Sequence, residues 1–81
     1  MGEAMKPEPY RNLGRDSGVT AYAIGPDFIA VQWKPPTVYV YDHDRPGRAH
    51  VETMKTLAES GRGLGTYISQ HVRDNYAKKL R

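Results

Sequence analysis

The amino-acid sequence predicts an α+β fold: a three-stranded antiparallel meander followed by two helices packed on one of its faces, in the order β-β-β-α-α, as a two-layer sandwich. Three observations predict it. Short apolar runs rich in β-branched and aromatic residues alternate with Gly, Pro and Asp turns in the first half of the chain. After Pro46-Gly47 the apolar spacing changes to a helical period. The two apolar helical stripes that result each need a surface to cover, and one face of a meander supplies it.

Residues 1 to 16 mix Gly, Pro and charges around Lys6-Pro7-Glu8-Pro9 without apolar periodicity, so they read as a flexible arm outside the core. Val19 to Ile24 is the first strand, closed by the turn residues Gly25-Pro26-Asp27, and Phe28 to Trp33 is the second. Lys34-Pro35-Pro36-Thr37 has to be a loop, because adjacent prolines supply no ladder donors, and Val38 to Asp42 follows as the third strand. Val51, Met54, Leu57 and Ala58 recur at i, i+3, i+6 and i+7, which predicts an amphipathic helix stopped by Gly61. Leu64, Tyr67, Ile68, His71, Val72 and Tyr76 then follow the i, i+3, i+4, i+7, i+8 template of a second helix. Its stripe takes in His71 and leaves Arg62, Ser69 and Arg73 on the solvent side. One domain over residues 17 to 77, with a basic tail at 78 to 81, is the resulting organisation.

A domain of 81 residues buries only about 60% of its unfolded-chain surface and has no room for a deep cleft. No small-molecule substrate and no cofactor are expected, and the chain reads as a binding domain, not an enzyme. The absence of cysteine removes disulfides and thiolate zinc sites and fits a reducing compartment. No apolar run approaches the ~20 residues that span a bilayer, and the first residues lack the apolar stretch of a signal peptide. A soluble cytoplasmic protein without a membrane partner is expected.

The net charge of +3 is unevenly spread. Residues 62 to 81 carry Arg62, Arg73, Lys78, Lys79 and Arg81 against the single acid Asp74, the asymmetry of a surface that meets polyanions. These five cations are candidate contacts to the phosphates of RNA or single-stranded nucleic acid, a mode that is salt-sensitive and weakly specific. The same letters also describe a solvated helix face with a solubilising tail.

Tyr39-Val40-Tyr41 carries two rings on one face of a strand, by its period of two. Which face depends on the parity of the preceding loop. An even loop sets Trp33 opposite Val38 and Val31 opposite Val40, and puts both tyrosines on an open sheet face beside Phe28, Gln32 and Lys34, where unpaired bases stack. An odd loop or a bulge packs them under the helices with their hydroxyls near the edge.

Several of these residues resemble the KTSC family, small domains named after the C-terminal extension of certain lysyl-tRNA synthetases and found also as stand-alone bacterial or phage proteins. Ser17 to Ile24 resembles its opening strand, Tyr39-Val40-Tyr41 its central motif, and Gly65-Thr66-Tyr67-Ile68 with His71-Val72-Arg73 and Tyr76 its closing helix. Gly63 stands where a Ser commonly precedes the Gly, and the segment from Asp42 to Ser60 is long, as in a phage-like subset with a Met-Lys-x-Leu-Ala run, here Met54 to Ala58. The resemblance implies the β-β-β-α-α order and, through the synthetase connection, RNA binding. Family members commonly carry a charged residue between the two tyrosines, which implies that the middle position is the exposed one. A module that docks a protein partner or a second copy is the competing expectation.

Asp42-His43-Asp44 with His50 offers ligands for a divalent metal, but a polar turn ahead of a helix explains the same letters, and no metal is expected. His71 reads as a hydrogen-bonded residue at the core edge, since no acid stands at a spacing that would make it a general base. Gly61-Arg62-Gly63-Leu64-Gly65 lacks the preceding strand and the Lys-Ser/Thr ending of a phosphate loop and reads as a helix junction.

Overall fold

A computed structural model describes residues 7–11, 18–33, 37–73 and 75–80. Its antiparallel sheet has five strands in the order of the chain: β1 (Glu8–Pro9), β2 (Ala21–Ile24), β3 (Phe28–Gln32), β4 (Val38–Asp42) and β5 (Lys78–Lys79). The helices α1 (Arg48–Ser60) and α2 (Leu64–Tyr67), the latter continued by a π-helical turn (Ile68–Val72), lie between β4 and β5 in sequence. The three central strands are those the alternating apolar pattern predicts.

The meander has five strands where the sequence predicts three, because β1 and β5 are two-residue edge strands made of Glu-Pro and Lys-Lys. Such pieces carry no apolar alternation, and proline and lysine are the residues that blunt a sheet edge. Residues 7 to 11 are therefore not part of a detached arm. Glu8 and Pro9 pair with Tyr22 and Ala21, and Tyr10 is buried in the core. The rest of the predicted arm, residues 1–6 and 12–16, lies outside the described residues, as does Arg81 of the predicted tail. Lys78 and Lys79 form an edge strand on β4, not a tail.

Gln32 pairs with Val38, Val31 with Tyr39 and Ile29 with Tyr41, so residues 33 to 37, an odd number, connect β3 to β4. The odd parity puts Tyr39 and Tyr41 on the same face as Ile29 and Val31, the face the helices cover. Trp33 is not opposite Val38. Tyr41, Ile29 and Val31 are buried there against Val51, Met54 and Ala58 of α1 and against Leu64, Ile68 and Val72 of the second helical segment.

Helix α1 buries Val51, Met54 and Ala58 of the predicted stripe, with Leu57 half-buried, and ends at Gly61, whose φ of 81° is the left-handed closing conformation that glycine adopts without steric cost. Gly63, at φ 86°, starts α2 in the same region. The second helix does not run on to Tyr76. It widens into the π turn, where the Arg73 amide donates to the Ile68 carbonyl, and Arg73 then leaves it at φ 39°. Tyr76 lies beyond, with its ring 4.5 Å from that of Tyr39 and 6.4 Å from that of Tyr41, measured between centroids. The helical spacing of Tyr76 is therefore a coincidence of register: the sheet, not the helix, places it.

Tyr10 joins the two layers. Its hydroxyl accepts from the Leu64 amide at 3.1 Å, one of the donors a helix start leaves without an intrahelical partner. Tyr10→Phe keeps the ring but orphans that buried amide, and is expected to lower the free energy of unfolding by about 1–3 kcal/mol, read as a shift of the urea midpoint at unchanged slope.

Candidate nucleic-acid interface

Coverage by the helices fades along β4. Tyr41 is 1% exposed, while Tyr39, two residues earlier on the same face, is half-buried. Trp33, which follows β3, and Tyr76, which follows the π turn, are half-buried as well. The Tyr39 and Tyr76 rings stack at 32°, and the ammonium of Lys79 lies 5.9 Å from the centroid of Tyr39, within the range of a cation–π contact. The pairing of Tyr39 with Lys79 puts that lysine on the helix side of the sheet. Beside this strip, Gly18, Trp33, Thr37 and Tyr39 line a shallow depression. The indole Nε1–H of Trp33 is buried and has no hydrogen-bond partner among the described residues, a position that costs about 1–3 kcal/mol relative to a satisfied donor.

The remaining cations are distributed differently from the sequence expectation. Arg62 is exposed in the turn between α1 and α2, and Arg73 is exposed past the end of the π turn. They do not share a helical stripe with Ser69, because the helix between them is too short and its last turn is π. Lys78 pairs with Val40 and so points to the opposite face of the sheet from Lys79, in a trough that it shares with Asp27 and Asp42. Among the described residues, ion pairs involve only Glu52, with His43 at 2.9 Å and Lys55 at 3.0 Å. The hydrogen bond from His43, and after it the one from Lys55, hold the Glu52 carboxyl below its ordinary range. Arg62, Arg73, Lys78 and Lys79 form no ion pair with a carboxylate among the described residues.

Two other groups from the sequence have structural roles. Oδ1 of Asp42 accepts from the Asp44 amide at 3.0 Å and the Arg45 amide at 2.8 Å, which makes Asp42-His43-Asp44 a side-chain-closed turn. No cluster of three His, Cys, Asp or Glu side chains that could hold a metal occurs among the described residues. His71 is exposed, not part of the apolar stripe. Its ring lies 4.5 Å from that of Tyr67, whose hydroxyl is 2.7 Å from Nδ1 of His50, so these rings fasten the π turn to α1.

Trp33, Thr37 and Tyr76 are site residues that the sequence does not single out for this surface. The odd loop parity would have found the first two, since it brings Trp33 to the face of Tyr39. Tyr76 has no local signal, because its neighbour is a strand on the far side of two helices in sequence. No described helix is long and apolar enough to cross a membrane. Comparison with protein-family models, with curated proteins and with solved structures finds no match.

Proposed function

We propose that this chain is a small, non-enzymatic domain that binds single-stranded nucleic acid, RNA above all, along the strip of Trp33, Tyr39, Tyr76 and Lys79. The observation that carries the reading is the juxtaposition of a partly exposed aromatic pair with an ammonium group that has no carboxylate partner among the described residues. Base–aromatic stacking with a cation beside the ring is the means by which proteins hold single strands without reading sequence. An unpaired base lies in the depression against Trp33 and Tyr39, and its phosphate meets Lys79. Arg73, near Tyr76 in sequence, extends the positive charge along the strand, and Arg62 and Lys78 add long-range attraction. The resemblance to the KTSC family, with its link to a tRNA synthetase, supports RNA over DNA as an analogy of context.

The test is an NMR titration with a short single-stranded RNA at about 50 mM salt, where electrostatic binding is strong. The Trp33 indole and the amides of Thr37, Tyr39 and Lys79 are expected to shift together. Lys79→Ala and Trp33→Phe are each expected to weaken binding, the second by less than the roughly 1–3 kcal/mol that loss of a whole aromatic platform costs, because a phenyl ring still stacks. An unchanged spectrum at that salt concentration, or shifts confined to α1, would refute the proposal.

A further inference from the structure

The face of the sheet away from the helices is apolar where a solvated face should be polar. In an antiparallel sheet with one covered side, outward residues ordinarily alternate as polar positions between the buried ones. Here the outward positions of the three central strands are Ala21 and Ala23 of β2, Phe28, Ala30 and Gln32 of β3, and Val38, Val40 and Asp42 of β4, polar only at Gln32 and Asp42, with Ala23 and Ala30 themselves 6% and 4% exposed. Leu80, 45% exposed, lines the same surface, and a groove of about 210 Å³ with an alanine floor runs across it. Among the described residues neither helix covers this face, since the buried parts of α1, α2 and the π turn all pack on the other.

We propose that this face is the contact surface of a reversible, two-fold symmetric dimer of the chain. Three features select a second copy as the occupant. A two-fold contact requires a surface complementary to itself, and this one carries both a knob, Leu80, and an alanine-floored groove. The charges at its other end are likewise of both signs, Lys78 with Asp27 and Asp42, so two copies meet with lysine against carboxylate although the chain as a whole is basic. The area is the third. Strands of four to five residues at the centre and two at each edge, roughly 4.8 Å apart, make a face of roughly 300 Å² per copy. That is about a third of what a partner in a standard-size stable interface contributes, which corresponds to a weak, concentration-dependent dimer. Small residues let the two sheets approach to the roughly 10 Å of sheet-on-sheet packing. Addition of a foreign strand is disfavoured, because Pro9 and the short Lys78–Lys79 strand blunt both edges.

Such a dimer uses Lys78 and leaves Lys79, on the opposite face, for the strip described above. The two readings therefore fail separately. Sedimentation equilibrium across micromolar to millimolar protein is expected to show monomer and dimer in exchange. Leu80→Glu, at an exposed position that folding tolerates, is expected to raise the dimer dissociation constant at least about tenfold. Val38→Glu, at a partly exposed position on the groove, should do the same, and Lys79→Ala should leave it unchanged. A strict monomer at millimolar concentration would overturn the dimer, as would association that Leu80→Glu does not weaken. A monomer in which a small apolar probe shifts the Ala23 and Ala30 amides would make the face a ligand groove and overturn it equally.

Discussion

Tyr41→Ala is expected to remove about 3–5 kcal/mol of folding stability, a larger loss than that of Tyr10→Phe or Tyr39→Ala. Tyr41 is the largest of the fully buried side chains and the residue on which both layers converge: opposite Ile29 in the sheet, edge-on to Tyr76, and in the core cluster formed with α1 and the second helical segment. Removing a buried aromatic ring typically costs about 3–5 kcal/mol, because the lost transfer energy is joined by a cavity that the surroundings only partly fill. At roughly 0.05–0.15 kcal/mol per residue, a chain of this length has about 4–12 kcal/mol of stability in all. The loss is therefore comparable with the lower half of the whole. Tyr41→Phe keeps the ring and should cost less. Tyr39→Ala, at a half-buried position, should fall between the two. Urea denaturation followed by circular dichroism gives the order, and equal losses for the 39 and 41 alanine variants would contradict the graded burial along β4.

Raising salt from about 50 to about 200 mM is expected to weaken RNA binding roughly 7-fold. The figure follows from about two phosphate contacts, by Lys79 and Arg73, and a slope near −0.7 per contact for a single strand. Lys79→Ala should lower affinity and also reduce the slope of log K against log salt by about 0.7. Trp33→Phe should lower affinity with the slope unchanged, because stacking releases no counterions. Fluorescence anisotropy with a labelled oligonucleotide at several salt concentrations resolves the two behaviours. A slope unmoved by Lys79→Ala would remove that lysine from the interface. Arg73→Gly adds a separate readout: its φ of 39° strains any side-chain-bearing residue, so glycine there should stabilise the fold by about 1 kcal/mol while lowering the salt slope.

The elements written in local chemistry are legible from the amino-acid sequence. The turn at Gly25 to Asp27, the loop forced by Pro35-Pro36, the 3–4 spacing from Val51 to Ala58 and the glycine stop at Gly61 each act within a few residues, so three strands and α1 follow without tertiary information. The same is true of the basic character of residues 62 to 81. The site is less legible. Tyr39 and Tyr41 stand out at once as a pair, yet a one-residue change in loop parity exchanges core and solvent for both, and nothing local fixes that parity.

What the tertiary structure decided is whatever depends on the pairing of segments far apart in the chain. The Glu8–Pro9 and Lys78–Lys79 strands exist only because a neighbouring strand supplies their hydrogen-bond partners. The second helix yields to the sheet at Arg73, and Tyr76, spaced as a helical core residue, stacks instead on Tyr39. Lys78 and Lys79, two identical letters, are sent to opposite faces by the pleat. The sequence by itself determined which residues are apolar, aromatic or charged and where the chain turns, because those are properties of single residues and short windows. Strand register and layer coverage determined which aromatic ring is buried, which stands beside a lysine and which face the helices leave uncovered, because such contacts are set by long-range packing that no short window contains.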